Sequence, residues 1–163
     1  MKSIITFCIS ILISTIAYSQ KKTETYIKEA RKVAKSWLAD VNNEKFANAY
    51  SLLHQESIPK KNNDSIMWCK YMILEQVEFG EFKKRNITNA QFVPEIQDQE
   101  SGNKISGFFV FLEYTTEYQN IKTITETILL QQNDQTKWEI LNYTPVWLTP
   151  SSEEEKTLNQ NKK

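Results

Sequence analysis

The sequence predicts an α+β fold in which three N-terminal helices pack on a curved, cone-like antiparallel sheet. The run from Ile105 to Trp147 alternates apolar and polar residues with the period of two that is typical of strands. Short polar loops divide this run, so its strands are expected to be antiparallel neighbours in a meander. The segment from Thr23 to Phe79 instead repeats its apolar residues at helical spacing.

The first two helices are predicted from apolar residues that recur every three or four positions. Thr23–Val41 forms the longer one, with Thr23 as its cap. Asn42-Asn43 is expected to end it, because asparagine tolerates the left-handed conformation. The second helix spans about Glu44–His54. The apolar stripe of the first helix contains Tyr26, Ile27, Ala30, Val33, Ala34, Trp37, Leu38 and Val41.

The third helix, Ser65–Phe79, begins after Asp64 and is stopped by Gly80. It is apolar almost all round, and such a helix is normally buried on more than one side. We therefore expect it to lie between the sheet and the first two helices.

Two weaker strand candidates precede the meander, at Glu81–Thr88 and Gln91–Ile96. Pro94 favours a sheet edge or a strand end for the second of these. Both faces of the strand that follows Gly107 are apolar, as in a strand covered at least partly on both sides. The other two meander strands are predicted within Lys122–Gln132 and Lys137–Trp147.

One strand register brings the largest apolar side chains of the meander onto a single core face. These are Val110, Leu112, Ile128, Leu130, Trp138 and Ile140. The same register places Glu126 on the core face, with Tyr114 and Asn142 as its cross-strand neighbours. A carboxylate on a core face needs partners, or its pKa rises. Tyr114, Glu126 and Asn142 are therefore the candidate ligand-pocket residues.

Residues 1–19 read as a secretory signal peptide. An apolar run follows Lys2, and the small residues Ala17 and Ser19 precede a cleavage point before Gln20. We expect a domain over residues 20–149 and a disordered tail over 150–163. The protein is thus expected to be exported, periplasmic or secreted, with no membrane span after cleavage. Its one remaining cysteine, Cys69, cannot form an internal disulfide.

The charge balance and the missing motifs exclude several classes of function. The chain has 20 basic and 20 acidic residues, so no long-range field favours nucleic acid. A single histidine, His54, and Cys69 cannot supply a zinc site, and no cofactor-binding motif is present. His54 is expected to be a plain exposed residue, and the Lys83-Lys84-Arg85 run a solvated strand edge. No catalytic residue and no metal ligand is assigned.

Several short motifs, in this order and spacing, resemble a family of small exported bacterial proteins of unknown function. They are Ala34–Val41, Phe46–Tyr50, Trp68, Gly80–Arg85, Glu126-Thr127, and Lys137–Ile140 with Tyr143. Asn142 departs from that family, which usually has glycine before the aromatic residue. The order of elements also resembles the nuclear-transport-factor-two-like, or cystatin-like, cone. The resemblance implies the fold, export and a bacterial source, and it implies no activity.

Three hypotheses of function remain open. The first is a non-enzymatic binding or interaction module of the envelope, which contacts a small apolar ligand or a protein partner. The second is a cone-fold enzyme with Glu126 as acid or base. The third is a purely structural homodimer with a filled interior, joined through an apolar patch on the outer sheet face. The residues of that patch are Phe109, Phe111, Leu129 and Leu141.

Overall fold

The computed structural model describes residues 2–54, 65–98 and 102–147, with side chains from residue 20 onward. Within them the chain forms three helices and then a four-stranded antiparallel sheet in the order β1-β2-β3-β4. The bounds are α1 Lys2–Asn42, α2 Phe46–Ser51, α3 Ser65–Phe79, β1 Phe82–Gln97, β2 Lys104–Tyr118, β3 Ile124–Gln132 and β4 Trp138–Val146. The predicted α+β class with a curved antiparallel sheet is confirmed.

Helix α1 packs directly across the sheet, because its apolar stripe meets the predicted core face of the meander. Ala30, Ala34 and Trp37 are almost fully buried, and the core-face residues of β2, β3 and β4 are buried with them. The Trp37 indole donates to the Ala49 carbonyl at 3.1 Å, which joins α1 to α2. The predicted register of the meander is therefore confirmed for its apolar residues.

The two weak strand candidates form one bent strand, β1, at the edge of the sheet. Its pairing with β2 shifts at three places, and Pro94 lies in one of them, between Val93 and Glu95. Each bulge inserts an unpaired residue and increases the local twist. Pro94, which lacks an amide hydrogen, therefore occupies the edge position expected of it.

Helices α1 and α3 are each followed by a residue with a positive φ angle. The residue with positive φ after α1 is Glu44 (φ 58°) and not an asparagine. Gly80 ends α3 as predicted, at φ 74°. A Cβ at Gly80 would lie 2.9 Å from the Asn120 side-chain amide, which would have to shift, and the positive φ itself favours glycine there.

Helix α3 does not lie between the sheet and the other helices, so that prediction is wrong. α1 already covers the sheet, and α3 packs beside α2 instead. Its buried residues are Met72, Glu75 and Phe79. Phe79 joins Tyr118 and Ile124 in a second, small core at one end of the sheet. Most of the large apolar side chains of α3 are exposed.

Candidate functional site

Glu126, near the start of β3, is fully buried and accepts hydrogen bonds from four side chains. Alternation along β3 turns it inward with Ile124 and Ile128. One carboxylate oxygen, Oε1, accepts from the Tyr143 hydroxyl at 2.8 Å and from the Tyr118 hydroxyl at 3.0 Å. The other, Oε2, accepts from the Thr116 hydroxyl. The carboxylate is therefore well supplied with donors.

The fourth partner of Glu126 is Arg85, which reaches it from two strands away. Arg85 pairs with Thr116 of β2, and Glu126 lies on the far side of that strand. The Nε atom of Arg85 donates to Oε2 at 2.5 Å, and its Nη2 atom donates to Oε1 at 2.9 Å. This two-point contact fixes the plane of the guanidinium. Only 9% of the Arg85 side chain is exposed.

The protonation of the cluster follows from its burial and its charges. Burial opposes the charge of Arg85, but the hydrogen bonds and the charge of Glu126 outweigh that effect and raise the pKa of Arg85. Burial, reinforced by Glu126, raises the pKa of Tyr118 and raises that of Tyr143 well above its usual value. Both phenols therefore remain hydrogen-bond donors at ordinary pH.

Glu75 of α3 lies near this cluster and is 6% exposed. Neither of its carboxylate oxygens has a hydrogen bond of good geometry within the described residues. Burial raises the pKa of Glu75, and the charge of Glu126 acts in the same direction; the influence of Tyr71 opposes them only in part. Glu75 is therefore the buried carboxyl of this region that favours its neutral form.

The structure separates the three predicted pocket residues. Tyr114 lies opposite Glu126 as expected and is buried, but the hydrogen bonds of Glu126 come from other side chains. Asn142 is exposed, because β4 contains a bulge where Leu129 pairs with Asn142 and Leu130 pairs with Ile140. The extra residue reverses the alternation and turns Tyr143, not Asn142, toward Glu126.

The four residues of the predicted sheet-face interface also differ in exposure. Phe109 is fully buried, so its ring is not available at the surface of this monomer. Phe111, Leu129 and Leu141 are partly buried. An interface on this face stays a prediction, and it would rest on the last three residues.

A groove of about 680 Å³ lies between α1 and β1, next to the buried cluster. We call it the basic groove. Cationic side chains line it, with apolar residues and two asparagines between them, and no acidic residue is among its lining. Its residues are Lys28, Arg31, Lys32, Lys35, Leu38, Ala39, Asn42, Phe82, Arg85, Asn86, Ile87 and Tyr114.

The cations of the basic groove come from one face of α1. They occupy helical positions i, i+3, i+4 and i+7, which neighbour one another on a helix surface. All are exposed, and within the described residues none forms an ion pair with a carboxylate. These four residues are Lys28, Arg31, Lys32 and Lys35. The groove thus combines a net positive wall with a rigidly held arginine.

The positive field of the groove reaches Tyr114, which lines it. Burial raises the pKa of Tyr114, and the nearby charges of Arg31 and Arg85 act against that rise. A negative group bound at this point would meet the same two cations. Tyr114, predicted as a pocket residue, lines this groove.

Two residues with reactive side chains lie away from the groove. His54 is not the exposed residue that was expected: its side chain is 14% exposed, and its Nδ1 atom lies 3.1 Å from Glu139. Cys69 is a free thiol on α3, packed partly against the core. In the described part of the chain no group of His, Cys, Asp and Glu residues could hold a metal ion.

Arg85 and the α1 cations are the residues that sequence reasoning missed. Arg85 was read as part of an exposed run, and its neighbours do follow that reading: Lys83 pairs with Glu81 and Lys84 pairs with Glu117. A carboxylate predicted on the core face, such as Glu126, needs a cation on a nearby strand. That requirement was the signal in the sequence that could have indicated Arg85. The i, i+3, i+4, i+7 spacing of the α1 cations was a second one.

The comparisons with known proteins place the chain in one family. The described residues contain no helix with the length and the apolar character that a membrane crossing requires. No curated protein and no solved structure matches the chain. A family model described as "Protein of unknown function (DUF4019)" matches residues 33–143, well over half of the sequence. The chain therefore belongs to the DUF4019 family of proteins of unknown function.

Proposed function

We propose that this protein is a non-enzymatic binding module of the cell envelope and that its ligand is a small amphiphilic anion. One observation carries the proposal: four cations of α1, without ion-pair partners among the described residues, line a groove whose described wall contains no acidic residue. Ligand sites are concave and mostly apolar, with a few well-placed polar groups. The volume of the basic groove falls within their usual range.

The apolar residues of the groove support the proposal that the anionic ligand also has a hydrocarbon part. Leu38, Phe82 and Ile87 line the groove together with the cations of α1. Phe82 is 39% exposed and carries the Arg85 guanidinium over its ring at 4.9 Å. An anionic head could pair with the α1 cations, and its hydrocarbon body could cover these side chains.

The enzyme hypothesis has less support. A general acid or base must reach the proton that it transfers. Glu126 is fully buried, and the Arg85 guanidinium lies between it and the groove. We propose instead that Glu126 positions Arg85. We also propose that the fold is a nuclear-transport-factor-two-like cone. In such a fold, helices pack against a curved sheet, and the basic groove would lie where the helices and the sheet diverge.

Calorimetric titration with short-chain amphiphiles below their micelle concentration tests the ligand class. Decanoate and decyl phosphate separate a carboxylate from a phosphate head, and decanol and decyltrimethylammonium remove or reverse the charge. We expect one or both anions to bind, more weakly at high salt. Arg31→Glu should weaken binding at least tenfold, since a charge-assisted hydrogen bond contributes about 1.5–3 kcal/mol.

Lys21→Glu is the matched control, because it makes the same change in charge on an exposed α1 residue outside the groove. It should leave anion binding within about twofold of the unmodified protein, as for a screened distant charge. Equal binding of decanol, or equal effects of Arg31→Glu and Lys21→Glu, would contradict the proposal. Native mass spectrometry of protein isolated from its own host would then show which ligand, if any, is retained.

A further inference from the structure

Helix α3 turns most of its large apolar side chains outward and the carboxylate of Glu75 inward. Glu75 is buried, whereas Leu74 is 68% exposed and Val77 is 72% exposed. We call the exposed apolar side of this helix the α3 outer face. It consists of Ile66, Met67, Tyr71, Ile73, Leu74 and Val77, all at least 45% exposed.

These side chains form one continuous stripe. At 3.6 residues per turn they fall within an arc of roughly 160° of the helix, which also contains the charged residues Lys70 and Glu78. Ile66 and Ile73 are seven positions apart, as are Met67 and Leu74. A seven-residue repeat is the spacing at which one helix packs along another. The stripe therefore has the pattern of a helix–helix contact.

The stripe is large enough to be an interface. Exposed apolar patches above a few hundred Å² usually mark a contact site. Six half-exposed large side chains on one face are comparable to the roughly 800 Å² that each partner contributes to a standard interface. Ile73 and Val77 also border a depression of about 650 Å³ that continues toward Phe82 and Tyr118. A partner helix could pack along the apolar stripe and insert side chains into this depression.

Of the segments outside the described residues, the two longest, at 55–64 and 148–163, read QESIPKKNND and LTPSSEEEKTLNQNKK and are mainly polar. An equal apolar stripe is present, however, on a second copy of the chain. Two copies related by a two-fold axis would each use the same patch, as closed dimers do.

We infer that the α3 outer face pairs with the same face of a second copy, with the two α3 helices packed against each other. This surface differs from the sheet face of Phe111, Leu129 and Leu141. None of its six residues lines the basic groove, although the adjoining depression shares Asn42 and Phe82 with that groove. Variants of Val77 and Arg31 can therefore test dimer formation and ligand binding separately.

Sedimentation equilibrium of the purified protein, from low to high micromolar concentration, tests the inference. We expect a monomer–dimer equilibrium that Val77→Glu weakens at least tenfold, because the change buries a charge in the contact. Val146→Glu is the matched control: Val146 is 55% exposed on β4, and its replacement should leave the equilibrium unchanged. Circular dichroism checks that both variants remain folded.

A photocrosslinking amino acid in place of Tyr71 identifies the partner directly. The expected product is a dimer whose crosslinked peptide comes from α3 of the second copy. A monomer at high micromolar concentration would overturn the inference. A dimer that Val77→Glu leaves intact would overturn it too, as would a crosslink in cells to a different protein.

Discussion

At the scale of single residues, the buried pair of Glu126 and Arg85 is the main polar feature. Each charge would be costly to bury alone, and the pair remains costly unless hydrogen bonds satisfy both groups. Here Thr116, Tyr118 and Tyr143 supply those bonds. The arrangement holds Arg85 at the wall of the basic groove. The same buried pair therefore affects both the stability of the fold and the proposed binding site.

Glu126→Gln should strongly destabilise the protein. It leaves the guanidinium of Arg85 buried without a counter-charge, and breaking a buried pair costs about 3–5 kcal/mol. Urea unfolding, followed by circular dichroism, measures the change. Glu117→Gln breaks the exposed pair with Lys84, whose atoms are 2.8 Å apart, and should change the unfolding free energy little, because solvent screens this pair. Similar losses in both variants would show that the buried pair has no special role.

Two tyrosine-to-phenylalanine changes distinguish a tyrosine that donates a hydrogen bond to Glu126 from one that only lies opposite it. Tyr143→Phe removes a 2.8 Å hydrogen bond to a buried carboxylate and should cost about 1.5–3 kcal/mol of unfolding free energy. Tyr114→Phe should change it by less than about 0.5 kcal/mol, because Glu126 takes its hydrogen bonds elsewhere. Chemical denaturation of both variants gives the comparison, and the reverse order would contradict the bulged register of β4.

At the scale of elements, α3 is the helix whose exposure differs most from the burial that its apolar composition predicts. It has Glu75 on the buried side and apolar residues on the exposed side. Gln76 donates a hydrogen bond to the Val41 carbonyl, and Asn120 donates to the Glu78 carbonyl at 3.1 Å. The helix is thus anchored at its C-terminal end, and the position of Glu75 follows from that anchoring.

Glu75 should make stability depend on pH. Its pKa is raised from 4.5 by burial, with Glu126 and Glu78 adding to the rise and Tyr71 opposing it. Between the unfolded and the folded pKa the native state binds the extra proton. Its contribution is therefore complete below about pH 4.5 and is lost as the pH rises toward the folded value. Glu75→Gln should remove this part of the slope in urea unfolding measured across that range.

Glu78→Gln is the control for the pH experiment, since Glu78 lies exposed on the same helix. It should leave most of the slope in place. If Glu75→Gln and the unmodified protein showed the same slope above pH 4.5, Glu75 would be ionised in the folded state as well.

At the scale of the whole molecule, α1 joins the leader-like N-terminus to the folded domain. It runs without a break from Lys2 to Asn42, and its second half forms the core and the wall of the basic groove. Among the residues with described side chains, those that line the groove and form the core all follow the predicted cleavage point before Gln20.

Export should produce a mature N-terminus at Gln20. The physical reason is the pattern of Lys2, the apolar run, and the small residues Ala17 and Ser19. Intact mass spectrometry of protein recovered from the envelope of the producing cells measures this directly. Protein that keeps Met1 through Ser19 and stays inside the cell would contradict both the cleavage site and the proposed location.

The sequence by itself determined the elements and the apolar core. Periodicity located α1, α3 and the meander, and it indicated six apolar side chains of β2, β3 and β4 that face inward, because one buried face permits one register. It also indicated Glu126 as the carboxylate on the core face. These features depend on neighbours that are close along the chain or directly opposite in a hairpin.

Only the tertiary structure decided the partners of Glu126, the position of α3 and the presence of the basic groove. Arg85 meets Glu126 across an intervening strand, and a single bulge exchanges Asn142 for Tyr143. α3 is apolar, which predicts burial, but α1 already covers the sheet. Each outcome depends on how distant segments compete for one surface, and local spacing carries no information on that competition.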